Sequence, residues 1–245
     1  MSAPRCLVFG GSGAVGGAVL TELVTRGARV AFTYHENSEV ARRRAADLDL
    51  PPALQVDLAD AGSVERGVDA AAEALGGLDA FVQCAGLAVT VDSPERCPAQ
   101  HLPDIDERAW DRMLDVVVRG TFFASRRVIR VMEGGGNLVL LGAVDGVKSA
   151  PAPVHHAAAC GALSAMARAM AKEVGARGIR VNVVAPGPLE DGQSTTLSDA
   201  IKQDFQRHSG LRRLGKASEV AAVVRWLALE NTYLTGRTVC VDGGL

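Results

Sequence analysis

Short apolar runs, each closed by Gly, Asp or Pro, alternate along the chain with longer Ala-rich stretches whose apolar positions recur at helical period. That alternation builds a parallel sheet covered by helices on both faces, so the expected class is α/β with a doubly wound sheet. Strands are expected at Cys6 to Phe9, Arg29 to Thr33, Ala53 to Gln55, Ala80 to Gln83, Asn137 to Leu141, Arg180 to Ala185 and Thr238 to Val241. Helices are expected at Val15 to Thr25, Ser38 to Ala46, Ser63 to Ala74, Glu107 to Met132, His156 to Arg177 and Ser218 to Ala228. Two stretches lack both periods: Ala88 to Asp104, with three prolines, and Pro188 to Ser209. Strand and helix signals resume on either side of each, so both read as binding loops or lids and not as domain linkers.

Composition narrows the partners. With 245 residues, 48% of them apolar, the chain can bury a substantial core and is expected to form one domain over residues 1–245. A net charge of -2 leaves no electrostatic footprint for nucleic acid or an anionic membrane, which favours a small-molecule or protein partner. The five cysteines are odd in number and scattered, as reduced thiols of a cytoplasmic protein would be. No secretory signal is read at the N-terminus, and no apolar run is long enough to span a bilayer.

The loop Gly10-Gly11-Ser12-Gly13-Ala14-Val15-Gly16-Gly17 follows the first strand and opens the first helix. In that setting glycines let the backbone turn and bring a pyrophosphate close to the positive end of the helix. Gly10, Ser12, Gly13 and Val15 are the candidate cradle positions, although Gly11, Gly13 and Gly16 satisfy a second register of Gly-x-Gly-x-x-Gly. A tight strand-to-helix turn without a ligand would use the same glycines. The second strand runs into Tyr34 and His35, where an NAD enzyme usually places an acid for the ribose diol. With Arg42, Arg43 and Arg44 one turn further on, this end tolerates a 2'-phosphate, so NADP(H) is expected over NAD(H). The arginines also read as a solvated helix face.

Taken with Asp57-Leu58 after the third strand, Leu78 to Gly86 around the fourth, Arg180 to Gly187, and the ending Tyr233 to Gly236 and Val241 to Gly244, the chain resembles a short-chain dehydrogenase/reductase. The likeness is greatest to the 3-oxoacyl-carrier-protein reductase branch, covers essentially the whole chain, and implies a Rossmann-like fold. It implies that Asp57 and Leu58 flank the adenine, that Ala85 and Gly86, just after Cys84, lie along the ribose, and that Pro186 and Gly187 meet the nicotinamide.

That family delivers a proton from a tyrosine as hydride reaches the carbonyl, with a lysine, a serine and an asparagine completing the set. No Tyr-x-x-x-Lys exists in this sequence. Carried over by the resemblance, the tyrosine position falls on His156, the lysine on Cys160, the serine on Ala143 and the asparagine on Val117. A positioned general acid is worth about 10²–10⁴ in rate and one oxyanion donor about 10²–10³, so the family reaction by the family mechanism should be close to absent. Further departures are Ala14 at the middle glycine, Phe9 at a bracing threonine, and Asp191 about where a threonine would meet the cofactor.

His156 titrates near neutral pH and is the candidate catalytic residue, with Asp145 as an orienting partner and Cys160 one turn along the helix. The same residues suit plain helix packing, because the run Ala157 to Ala159 favours close approach and no basic neighbour in the local sequence lowers the Cys160 pKa. Cys97, His101, His155, His156 and Cys160 lack a diagnostic metal spacing, so no metal is expected. Trp110 and Trp226 read as packing residues and His208 as a surface residue.

The resemblance implies a tetramer through the two long helices, and Ala157, Gly161, Ala165 and Ala169 suit such an approach. The leading expectation is a tetrad-deficient, non-catalytic subunit, in a homo- or hetero-tetramer with an intact short-chain reductase. Its substrate class would be a β-keto or β-hydroxy acyl group on an acyl or aminoacyl carrier protein, as for the scaffold-like partners of aminocoumarin antibiotic biosynthesis. The alternatives are an enzyme with a relocated proton donor, either a ketoreductase or a non-redox cyclase or dehydratase using His156, and an NADP(H)-sensing regulator.

Overall fold

The computed structural model describes residues 3–87, 102–150 and 152–245. Most of the Pro-rich stretch 88–104, with Cys97 and His101, lies outside the described residues. Seven parallel strands form one sheet in the order β3-β2-β1-β4-β5-β6-β7: β1 Arg5–Phe9, β2 Arg29–Tyr34, β3 Leu54–Gln55, β4 Ala80–Gln83, β5 Gly136–Leu141, β6 Ile179–Pro186 and β7 Thr238–Val241. Helices α1 Ala14–Thr25, α2 Ser38–Asp47, α3 Ala61–Leu75, α4 Glu107–Leu114, α5 Gly120–Val131, α6 Val154–Val174, α7 Asp199–His208 and α8 Ala217–Leu229 surround it.

Side chains of a strand alternate between faces, and here both faces are covered, which is why the strands read as unbroken apolar runs. Leu7, Phe9, Phe81 and Leu138 share one core with Val68 of α3, Val128 of α5 and Leu163 of α6. Cys6, Val8, Val82 and Val139 face the other way, onto Leu20 of α1 and Val224 of α8. From β1 the chain winds outward through β2 and β3, then returns to β1's other side with β4. The loops leaving β1 and β4 therefore diverge, and a crevice opens at their carboxyl ends.

Three expectations change. The helix expected from Glu107 to Met132 is interrupted by a π-turn at Asp115–Arg119. Val116, Val117 and Val118 crowd this turn with branched side chains, and Gly120 must pass Leu58, whose carbonyl oxygen would lie 2.6 Å from any Cβ there. The stretch from Pro188 to Ser209 contains α7, whose start is capped by Ser198 Oγ accepting from the Ile201 N–H at 3.3 Å. Trp110 and Trp226 are 38% and 41% exposed, so they are not core packing residues.

Candidate functional site

A cleft of about 920 Å³ occupies the crevice. Gly10, Ser12 and Gly13 wall it from the β1 loop, Tyr34 and His35 from the end of β2, Asp57 and Leu58 from the segment after β3, and Cys84, Ala85 and Gly86 from the segment after β4. The loop glycines differ in how much room their surroundings leave. Gly10 has φ +78°, and a Cβ on it would fall 2.7 Å from the Ala85 backbone. A Cβ on Gly16 would fall 2.2 Å from the Gly10 carbonyl oxygen, whereas one on Gly13 would meet that oxygen at an ordinary 3.4 Å. The loop thus requires glycine at Gly10, at Gly16 and at Gly11, whose Cβ would fall 2.4 Å from the Phe32 ring, but not at Gly13.

Phe9 cannot brace this turn, because its ring is buried edge-on against Phe81. The brace comes from β2: Gly10 N–H donates to Thr33 Oγ1 at 3.3 Å and Gly11 N–H to the Thr33 carbonyl at 2.9 Å. Thr33 escaped the sequence reading because the contact spans two strands. At the ribose end, His35 lies between two carboxylates, 3.7 Å from Glu36 and 3.9 Å from Asp57. The three arginines of α2 are not beside them. Arg42 and Arg43 are exposed outside the cleft, and helical period turns Arg44 toward α1, where it donates to the Gly11 and Gly13 carbonyls.

A second pocket of about 300 Å³ shares the Gly13 and Cys84 walls with the first. Val15, Ala143, Asp145, His156, Pro186 and Gly187 line it. Val117 and Cys160 are buried, 7% and 4% exposed, and neither lines the pocket. Asp191 also lines it, but its Oδ1 accepts from the Ala217 N–H at 3.1 Å. Its charge is therefore spent partly on the positive end of α8, which blunts the repulsion a carboxylate here would exert on a phosphate.

The polar centre of this pocket is an ion pair. His156 Nδ1 lies 2.7 Å from Asp145 Oδ2, with only 17% and 7% of the two side chains exposed. Gly146 makes the approach possible, since a Cβ there would fall 2.6 Å from the Cys160 backbone. Burial opposes a charge on the imidazole, but the hydrogen bond to Asp145, with Cys160 alongside, outweighs it and pushes the His156 pKa up to about 10. Cys160 Sγ is 3.8 Å from Nε2. The site can therefore hold a proton opposite a carboxylate, but it offers no side-chain hydroxyl or ammonium at the four carried-over positions. Asp145, His156 and Cys160 also bring one possible metal-ligand atom each within 4.8 Å of one another. His155 next door is buried, and that burial, with His156 beside it, lowers its pKa.

A glycine-braced crevice at the switch point of a doubly wound parallel sheet defines a dinucleotide-binding class of α/β protein. Comparison with known sequences makes this specific: the family described as Enoyl-(Acyl carrier protein) reductase matches residues 12–245, and the chain belongs to the short-chain dehydrogenase/reductase family. The chain is 33% identical to the Cyclic-di-GMP-binding biofilm dispersal mediator protein of Escherichia coli, over 97% of this chain and 94% of that one. It is 32% identical to a 3-oxoacyl-[acyl-carrier-protein] reductase of Rattus norvegicus, over 98% and 97%. Among solved structures, a short-chain dehydrogenase from Burkholderia cenocepacia in complex with NADP superposes with a TM-score of 0.89 at 32% identity, covering 98% and 97% of the two chains. A blue fluorescent protein from a metagenomic library, in complex with NADPH, gives 0.89 at 28%, covering 99% and 98%. Among the described residues no helix is long and apolar enough to cross a membrane.

Proposed function

We propose that this chain is an NADP(H)-binding subunit whose own hydride-transfer chemistry has been replaced, and that it works in a tetramer beside an intact short-chain reductase. The substrate class of the assembly is a β-keto or β-hydroxy acyl group on a carrier protein, in a biosynthetic pathway of the antibiotic type. One observation carries the reading: Val117, Ala143 and Cys160 give the catalytic corner no hydroxyl or ammonium group, and His156 is committed to Asp145.

The cleft fits the cofactor. The bare Cα of Gly10 lets the loop lie against Ala85, and Ser12 and Gly13 then face open space where a diphosphate would sit. Asp57 and Leu58 would hold the adenine, Ala85 and Gly86 the ribose, and Pro186 and Gly187 the nicotinamide. When bound, that group accepts or donates hydride. The relatives named as carrier-protein reductases and the NADP-bound neighbours support this assignment. Ala165 and Ala169 on α6 and Phe122 on α5 are exposed, as a helix-to-helix subunit contact requires.

Purified alone, the chain should bind NADPH yet reduce no β-keto acyl thioester at enzymatic rates, and it should co-purify with the short-chain reductase encoded nearest to it. Turnover by the isolated chain at ordinary rates would overturn this reading.

The Asp145–His156 pair favours a second reading, in which the imidazolium replaces the phenol as proton donor in a ketoreductase, cyclase or dehydratase reaction. His156→Phe separates the two. It abolishes turnover of the isolated chain if His156 is the acid, and leaves a two-chain complex fully active if the chain is a scaffold. The nucleotide-binding name of the Escherichia coli relative favours a regulatory third reading, for which tight NADP(H) binding without turnover or a partner is the signature.

A further inference from the structure

Gly17 lies past the turn of the glycine-rich loop, inside α1, and α2 supplies the reason for a glycine there. Gly17 is buried in the first turn of α1. A Cβ on it would fall 1.8 Å from Nη1 of Arg44. The guanidinium fills the volume that any larger residue at position 17 would take, and from there it donates to the carbonyls of Gly11 and Gly13.

A trans peptide is planar, so its N–H points away from its C=O. The Gly11 carbonyl belongs to the same peptide as the Ser12 N–H, and the Gly13 carbonyl to the same peptide as the Ala14 N–H. Drawing both oxygens toward α2 turns both N–H groups the other way. Ser12 walls the larger cavity and Ala14 the smaller, with Gly13 between them walling both. Paired N–H groups at the start of a helix form an anion-binding nest.

We propose that Arg44 is a positioning residue for this nest: acting from behind the loop, it aligns the Ser12 and Ala14 N–H groups for the diphosphate of a dinucleotide, and Gly17 exists to admit it. The proposal rests on the nucleotide reading given above and adds how the cradle is held. The cation serves the anion through the backbone without touching it. Arg44 is consequently not the group that meets a 2'-phosphate.

The test is a double-mutant cycle on the full chain with Arg44→Ala, Gly17→Ala and both together. With Arg44 present, Gly17→Ala evicts the guanidinium and lowers the melting temperature; in the Arg44→Ala background the same change relieves a helical glycine and raises it. Hydrogen exchange at the Gly11 and Gly13 amides, which Thr33 and Gly10 protect, should quicken in each single variant. NADPH affinity should fall about tenfold, the worth of one or two charge-assisted hydrogen bonds. Arg44→Lys, which keeps the charge but not the planar fork, should recover only part of both effects. Gly17→Ala changing stability equally in both backgrounds would overturn the proposal, as would unchanged loop exchange in Arg44→Ala. If the wild-type chain binds no NADPH, the nucleotide reading fails instead, and the cycle with loop exchange still decides whether Arg44 holds the loop.

Discussion

Asp145 Oδ2 stands 2.7 Å from His156 Nδ1, and the two residues come from different elements, the turn after β5 and the first turn of α6. Helix packing alone does not require that contact. Enclosing a charged pair costs desolvation, which here the hydrogen bond to Asp145 outweighs, and a pair perturbed in this way at a pocket wall is a functional-site candidate.

The pair ties stability to pH. The His156 pKa rises from an ordinary 6.5 to about 10, so the folded protein binds this proton more tightly than the unfolded chain does. The stabilisation is complete below 6.5 and is lost as pH climbs toward about 10. Urea denaturation at pH 6 should find Asp145→Asn weaker than wild type by roughly 2 kcal/mol, the difference vanishing near pH 10. A pH-independent difference would mean that the pair does not carry it.

Gly146→Ala should act on the same pair without touching either charge. Its Cβ would lie 2.6 Å from the Cys160 backbone, so the turn must lift away from α6 at a cost of about 1–3 kcal/mol. An NMR titration of the His156 imidazole should then give a pKa closer to 6.5 than in the wild type. An unaltered titration would show that the pair forms without this close approach.

The two loop glycines should behave differently. Gly16→Ala sets a methyl 2.2 Å from the Gly10 carbonyl oxygen, whereas at Gly13 the same distance is 3.4 Å. We expect Gly16→Ala to lower stability by roughly 1–3 kcal/mol and Gly13→Ala by less than about 1 kcal/mol, the latter through the helix N-cap alone. Thermal melts of both variants in the absence of nucleotide check this, and equal losses would mean that the close approach to the Gly10 carbonyl does not set the difference.

Cysteine reactivity offers a simpler check. Burial, aided by Asp79 for Cys6, pushes the thiols of Cys6 and Cys84 up to about 12, leaving almost no thiolate at pH 8. Iodoacetamide treatment of the native protein followed by peptide mass mapping should find both unmodified, and both modified once the chain is unfolded in urea. Labelling of native Cys84, half-buried where it walls both cavities, would mean that its thiol ionises more readily than this.

Much of this protein is local, and what is local was legible in the chain. The inner strands β1, β4, β5 and β6 announced themselves as apolar runs because most of their residues are buried on both faces. The cradle announced itself because a turn against Ala85 and a helix against the Gly10 carbonyl leave no room for a Cβ. Of the residues expected at the cleft from the ends of β1, β2 and β4, all but Val15 wall one cavity, and Val15 walls the smaller one. The helix interruption at Asp115–Arg119 and the helix Asp199–His208 were missed. The first depends on how a valine run meets Leu58, and the second carried its signal only in the Ser198 cap and a weak apolar stripe.

Contacts between elements were beyond the sequence's reach, because their energy depends on distances that no spacing encodes. Sequence alone determined the α/β class, the position of the glycine loop, and that no Tyr-x-x-x-Lys is present. Only the tertiary structure decided that Thr33 and Arg44 hold that loop, that Asp191 is drawn to the start of α8, and that Asp145, the partner expected for His156, meets it in an enclosed pair. Each of these joins residues from separate elements, and a few ångströms of packing separate a bound, pKa-shifted side chain from one left in solvent.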